Sequence, residues 1–143
     1  MTYTVRMYQK LEDACVAIRT AVFVEEQGFQ QEFDEIDSNA WHILVYDGET
    51  AAATGRLYTD DGECYHIGRV AVLPAYRGKQ LGKLVVSALE AQAAMCGGKE
   101  ISLSAQCRVA GFYEKLGYAR TEDLHMDEFC PHVTMVKQIG QAK

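Results

Sequence analysis

The sequence predicts an α/β fold, a mixed sheet flanked by helices, and three observations predict it. Short apolar runs of strand character recur along the chain, two Asp-Gly pairs separate consecutive runs, and two longer segments carry apolar residues at helical spacing. Read in order, the chain gives strand, helix, three strands, helix, strand, short helix and strand.

Residues 3 to 7 alternate as a strand does. From Leu11 to Val24 the spacing is helical, with Leu11, Cys15, Ile18 and Val22 on one stripe. A polar loop from about Gly28 to Asn39 follows. The runs "WHILVYDGE" and "AAATGRLYTDDGECYHIGRVAVL" have Asp-Gly at 47–48 and 61–62, which marks turns between antiparallel strands and hence a three-strand meander. Pro74 ends the third strand. The segment from about Lys79 to Cys96 reads as a helix closed by Gly97-Gly98. Then "EISLSA" reads as a strand, "VAGFYEKLG" as a short helix ending at Gly117, and "HVTMVK" as the last strand. No internal repeat, linker or low-complexity tract interrupts the pattern, so one domain over residues 1–143 is expected.

Composition excludes several classes of function. A hydrophobic content of 48% with only two prolines fits a folded chain, and no apolar run is long enough to span a bilayer. The start "MTYTVRMYQK" lacks the apolar stretch of a signal peptide, which leads to the expectation of a cytoplasmic protein with no membrane partner. Five scattered cysteines form no C-x-x-C pair and read as reduced thiols, with neither a disulfide framework nor a metal site. A net charge of −6 argues against nucleic acid as a partner. Locally the charges segregate: Arg77, Lys79 and Lys83 cluster near a helix start, while acids crowd "EEQGFQQEFDEID".

The cationic cluster lies in "YRGKQLGK", residues 76–83, between a strand and a helix. Such a junction exposes free backbone N–H groups at the positive end of the helix dipole and invites an anion. Neither the dinucleotide motif G-x-G-x-x-G nor the phosphate-loop motif G-x-x-x-x-G-K-[ST] is present. What remains is an R-x-x-Q-x-G turn whose amides from Gly78 to Lys83 can wrap a pyrophosphate, helped by the side chains of Arg77, Lys79 and Lys83. Glycines that only shape the loop, beside solvated cations, explain the same residues.

Several motifs in register resemble the GNAT-type N-acetyltransferases. "HIGRVAVLPAYRGKQLGKLVVSALEAQA" looks like the family's motif A, whose R/Q-x-x-G-x-G/A turn grips the pyrophosphate of acetyl-coenzyme A, and "AQCRVAGFYEKLGY" is similar to motif B. Finer features, "RTAVFVEEQGF", "DEID....H", "HIGRVAV" and "PHVTM", look like the small ElaA/YjcF-like branch. The resemblance covers nearly the whole chain. It implies a central mixed, mostly antiparallel twisted sheet and acetyl-CoA as co-substrate, without a metal. It places the diphosphate on Arg77, Gly78, Lys79, Gln80, Leu81, Gly82 and Lys83, and the thioester carbonyl on backbone N–H groups at about Val70, Ala71 and Val72. The pantetheine arm then runs along that strand, with "SLSAQ", ending at Gln106, as the splayed neighbour. Two positions depart from the pattern. Gln80 replaces a glycine, so either its φ is negative or the loop differs locally, and Cys130 stands where an aliphatic residue is expected.

Acetyl transfer to an amine requires a base for the amine, a polarised carbonyl and a proton for the leaving thiolate. The resemblance points to Tyr113 as the acid, against a reading of Phe112 and Tyr113 as packing aromatics. His66 is the first candidate base, since imidazoles as a class titrate in the useful range, although a lone strand histidine is often structural. For the acceptor, His42, His132, Glu26, Asp34, Glu35 and Asp37 form a second tier that Arg19 and Gln27 orient. Their acidity suggests a cationic small molecule or a peptide amine; a solvated loop is the alternative. Cys130 and His132, two apart, raise a nucleophile-and-base reading, for which no third orienting group is evident. Acetyl-CoA-dependent N-acetyl transfer is the leading function. An acyl-homoserine-lactone-synthase-like enzyme and a catalytically silent acyl-CoA sensor are the alternatives. A homodimer is compatible with all three.

Overall fold

A computed structural model describes residues 2–140. Strand β1 (Thr4–Tyr8) leads into helix α1 (Asp13–Arg19), which widens without a break into a π-helical segment over Thr20–Glu26. A 3-10 turn (Glu35–Asn39) precedes the meander of β2 (Trp41–Asp47), β3 (Thr50–Thr59) and β4 (Cys64–Val72). Helix α2 (Leu81–Met95), strand β5 (Glu100–Gln106), helix α3 (Ala110–Lys115) and the hairpin of β6 (Ala119–Asp127) and β7 (Cys130–Gln138) complete the chain. The seven strands form one sheet in the order β1-β2-β3-β4-β5-β7-β6. Only β4 and β5 run parallel, because a helical crossover joins them, whereas the other neighbours pair antiparallel.

Both Asp-Gly turns lie where expected, with Gly48 at φ +62° and Gly62 at φ +80°. In the second, Asp61 Oδ1 accepts from the amides of Glu63 and Cys64 at 2.8 and 2.9 Å, which fixes the turn. Helix α2 ends as expected too. Gly97 takes φ +88°, and the Gly98 amide donates back to the Ala93 carbonyl at 2.8 Å.

The sheet is covered on both faces. Helix α2 buries Leu81, Val85, Val86, Leu89 and Ala93 among Ile43, Val45, Leu57, Ile67 and Ile101. Burying each large aliphatic side chain contributes about 2 kcal/mol. The helix approaches β3 closely because residue 55 is glycine: a Cβ there would lie 2.6 Å from Val85 Cγ1 and 3.0 Å from Leu89 Cδ1. On the other face Cys15, Ile18 and Val22 of the first helix pack on Leu44 and Ala71. No helix among the described residues is long and apolar enough to cross a membrane.

Three expectations are corrected. Strand β6 was not foreseen; it is an edge strand, largely exposed, and its apolar alternation is limited to Leu124 and Met126 near its end. The expected helix from Leu11 to Val24 is a seven-residue α-helix followed by the π segment, in which the Gln27 amide reaches the Val22 carbonyl at 3.1 Å. Helix α2 begins at Leu81 rather than Lys79.

The feature that creates a site is a splay. The β4–β5 ladder runs from Cys64 opposite Glu100 to Ile67 opposite Leu103 and stops there, while β4 continues to Val72 and β5 to Gln106. Opposite, the β3–β4 register shifts between Thr54 and Arg56, and Arg69 takes φ +54°. That bulge adds a residue to β4 and bends it away from β5.

Candidate active site

The splay opens a cleft of about 560 Å³, floored by His66, Gly68 and Val70 of β4 and by Ser102, Ser104 and Gln106 of β5. The loop after the π segment roofs it. Phe29 stacks on Phe129 with ring centroids 5.0 Å apart, and Glu128 accepts from the amides of Gln30 and Gln31, so the loop is held on the β6–β7 hairpin. Behind Val72 lies a second cavity of about 470 Å³, bounded by the 76–83 turn and by Phe112, Lys115 and Leu116 of the α3 segment. Val70 and Tyr113 border the first space, Val72 and Phe112 the second, so the end of β4 and α3 separate them.

The turn presents an array of unused donors. None of the six amides from Gly78 to Lys83 donates to a protein acceptor among the described residues; the first helical bond of α2 is Leu84 N–H to the Gln80 carbonyl at 3.2 Å. Gly78 at φ +79° and Gln80 at φ +65° curl the backbone, so Gln80 adopts the left-handed conformation usually left to glycine. Holding glutamine there costs about 1 kcal/mol, a local strain of the kind kept at functional turns. Lys79 and Lys83 are exposed and form no ion pair among the described residues. Arg77 is engaged elsewhere. Its Nε donates to the Val72 carbonyl at 3.0 Å, and Nη1 and Nη2 donate to Glu26 at 2.8 and 2.7 Å. Glu26 therefore faces the turn as a counterion of Arg77, and its carboxyl is held below the usual range by that hydrogen bond.

Tyr113 borders the cleft and packs edge-on against Phe112 and Tyr118, with centroids 4.9 and 5.8 Å away. Desolvation pushes its phenol up to about 12. Its hydroxyl bonds to no protein group among the described residues. His66 lies flat on Tyr58, centroids 4.9 Å apart, on the paired stretch of β4 opposite Ser102. His132 stands on β7 opposite Gln106, at the open end of the splay. Its Nδ1 is 3.0 Å from the Cys130 carbonyl. A carbonyl only accepts, so Nδ1 carries the proton and the lone pair of the neutral ring is on Nε2. Gln27 also reaches the cleft and accepts from Gln106 Nε2 at 2.8 Å.

The acidic loop is only partly solvated: Asp34 and Glu35 are exposed, whereas Glu32 and Asp37 are buried and already paired. Asp37 is buried and bound by Arg19 Nη1 at 2.8 Å and Arg56 Nη1 at 3.0 Å. Burial alone would raise its pKa; the two guanidinium groups outweigh that and hold it at about 2. Arg19, 1% exposed, also binds Glu32, and Asp34 pairs with Arg56 and Arg69. Three acids thus meet three arginines. His42, buried, bonds through Nε2 to the Asp37 carbonyl at 2.9 Å and pins the 3-10 turn, and burial lowers its pKa. Of the second tier only Gln27 and His132 line the cleft; Arg19, Asp37 and His42 form its support, and Glu35 is exposed outside it.

Cys130 and His132 do not pair through the thiol, since His132 bonds to the Cys130 carbonyl and burial pushes the thiol's pKa up. Sequence reasoning missed Arg56, Arg69 and Arg108, which all line the cleft. A charge inside the apolar run of β3 was the available signal for Arg56, because buried charges are paired. It also missed Ser104, whose Oγ lies 2.7 Å from His125 Nε2. The next link, His125 Nδ1 to Asp123 Oδ1, spans 3.5 Å, too long for the orienting hydrogen bond of a catalytic triad.

This combination of a splayed β4–β5 pair, an amide-rich turn into α2 and a tyrosine between them agrees with the comparisons with known proteins. Residues 8–139 match the acetyltransferase (GNAT) domain family, and the chain belongs to that family. It is 36% identical over 132 residues to the uncharacterized N-acetyltransferase YjcF of Bacillus subtilis, covering 90% of this chain and 93% of the relative. To the protein ElaA of Escherichia coli it is 31% identical over 135 residues, 90% and 88% of the two chains. The ElaA crystal structure superposes with a TM-score of 0.81 over 95% of this chain and 98% of that one, at 27% identity. An acyl-CoA N-acyltransferase from Pseudomonas aeruginosa gives 0.79 over 95% and 98%, at 26% identity.

Proposed function

We propose that the protein moves an acetyl group from acetyl-CoA to a primary amine by direct attack, with no acyl-enzyme. The observation that carries this reading is the run of six unused amides at Gly78–Lys83, at the positive end of a fifteen-residue helix and beside the splay. Such a cradle fits a diphosphate, with Lys79 and Lys83 adding charge. Acetyl-CoA supplies the activated thioester. From the turn the pantetheine arm passes Val72, Ala71 and Val70, whose β5-facing side has lost its strand partner, and an amide there polarises the thioester carbonyl. Gln106 lines the opposite bank.

Tyr113 serves the leaving sulfur. A phenol raised to about 12 keeps its proton at neutral pH, and by donating a hydrogen bond it stabilises the thiolate as it forms. The amine's proton goes to an imidazole. His132 is favoured over His66 because its Nδ1–H is fixed by the Cys130 carbonyl, which leaves Nε2 as the atom able to accept a proton, whereas no hydrogen bond among the described residues orients His66. No step requires a metal. Five free thiols fit a reducing, cytoplasmic setting.

The test is thiol release from acetyl-CoA with a panel of polyamines, amino sugars, amino acids and peptides, alongside calorimetry with coenzyme A. Binding with turnover for at least one amine is expected. Binding without turnover for any amine would leave a silent sensor, and absence of binding would remove the reading altogether.

A further inference from the structure

The support of the cleft is balanced in charge but not in hydrogen bonds. Arg56 is 4% exposed, lines the cleft, and spends one nitrogen on protein partners: Nη1 donates to Asp34 at 2.8 Å and to Asp37 at 3.0 Å. Its Nε is buried and has no partner among the described residues. A buried donor left unmet costs about 1–3 kcal/mol, so such a group calls for an explanation. Nε and Nη2 form the lateral edge of a guanidinium, two parallel donors that match the two oxygens of one carboxylate.

Arg56 lines the cleft from β3, the strand beside the splayed β4. Arg56 pairs across the sheet with Gly68, the first residue of β4 beyond the last β5 pair. Gly68 has no side chain, and a Cβ placed there would meet nothing within 4 Å, so the floor beside Arg56 is open. Neighbouring strands are separated by about 5 Å, so a group on Arg56 lies one strand from the splayed edge where the thioester is delivered. Arg108, exposed and unpaired among the described residues, adds a cation at the cleft wall.

We propose that the lateral edge of Arg56 is a carboxylate subsite, and that the acceptor is a small amino acid whose carboxylate sits on Arg56 while its amine reaches the acetyl group a few bonds away. This rests on the acetyl-transfer reading and names the acceptor class within it. It replaces the cationic acceptor suggested by the acidic loop, since Glu32, Asp34 and Asp37 are already bound by arginines.

The experiment compares matched pairs: glycine with glycinamide and β-alanine with β-alaninamide, with spermidine as a cationic control. Losing one charge-assisted pair of bonds corresponds to about tenfold or more, so the carboxylates should exceed their amides by at least that factor in kcat/KM, all rates in these comparisons being taken per unprotonated amine because the amides are the less basic amines. Arg56→Lys keeps the charge that faces Asp34 and Asp37 but lacks the fork. It should erase the preference, read as the ratio of carboxylate to amide kcat/KM, and retained coenzyme A binding checks that the variant is folded. Gly68→Ala, which meets no steric obstacle, should raise KM for the carboxylates selectively. Turnover of amides or spermidine at rates equal to or above those of the carboxylates overturns the subsite and leaves acetyl transfer standing. If no amine turns over, binding of N-acetyl-β-alanine against N-acetyl-β-alaninamide to the coenzyme A-loaded protein decides: equal or absent binding overturns the subsite, and a carboxylate preference lost in Arg56→Lys supports it independently of catalysis.

Discussion

Arg77 and Glu26, 51 residues apart in the chain, are joined by two short bonds, Nη1 to Oε2 at 2.8 Å and Nη2 to Oε1 at 2.7 Å. The pair fastens the amide-rich turn to the end of the π segment. It also occupies the cation that the sequence assigned to a diphosphate. Both side chains are about 40% exposed, and ion pairs in such positions are weak. A diphosphate in the turn can therefore compete with Glu26 for Arg77.

The competition has a direct readout. In Glu26→Gln the guanidinium is released, and coenzyme A should bind about threefold tighter or better, a small change on the scale of a charge-assisted bond. Arg77→Gln should weaken binding and reduce its salt dependence. Calorimetry over a range of ionic strength measures both. Equal affinities in the wild type and both variants would confine Arg77 to a structural role.

Tyr113→Phe removes the only polar atom of a side chain that otherwise packs on Phe112 and Tyr118. Fold and coenzyme A affinity should persist, while kcat falls at least about tenfold, as for loss of a general acid. Single-turnover thiol release with a good acceptor checks this. An unchanged rate takes the phenol out of the chemistry.

The two imidazoles separate by substitution. His132→Gln should lower kcat by about a hundredfold, the lower range for general base catalysis. His66→Gln, which disturbs a stacking contact with Tyr58, should change KM more than kcat. The reverse pattern would return the role of base to His66.

The parts of the fold legible in the sequence were those where local chemistry and tertiary structure agree. Gly48, Gly62 and Gly97 supply left-handed turns that few other residues accept, and the helical pattern expected from about Lys79 to Cys96 is α2, which buries Leu81, Val85 and Leu89. Strand β6 was invisible because an edge strand owes its place to the β7 backbone, and its Leu124, 72% exposed, breaks the polar pattern without packing. The π segment escaped because its wider turn leaves the helical period that the reading depends on. Within the site, the turn at Gly78–Lys83 was legible since its donors are backbone. The Arg56–Asp37 bond was not: it joins residues 19 apart, and with Arg19 and Arg69 equally able to meet three acids, residue type alone selects no pairing.

Asp37 makes that arginine network measurable. Its folded pKa of about 2 lies below the unfolded aspartate value of about 3.9. A depressed carboxyl stabilises the fold above the unfolded pKa, and that contribution is lost as pH falls through the window from about 4 to 2, where the folded form resists protonation. The full shift corresponds to about 2.6 kcal/mol, of which about 2 is lost by pH 2. Glu32 acts in the opposite sense: burial raises its pKa, so part of the loss is offset as it takes up its proton. Asp37→Asn leaves Arg19 and Arg56 without their shared counterion, which should cost about 3–5 kcal/mol at pH 7. The gap between variant and wild type should then narrow by about 2 kcal/mol on going from pH 5 to pH 2, because only the wild type still has the Asp37 charge to lose. Urea unfolding followed across that range measures the gap directly, and a difference independent of pH would show that the charge on Asp37 contributes nothing to the fold.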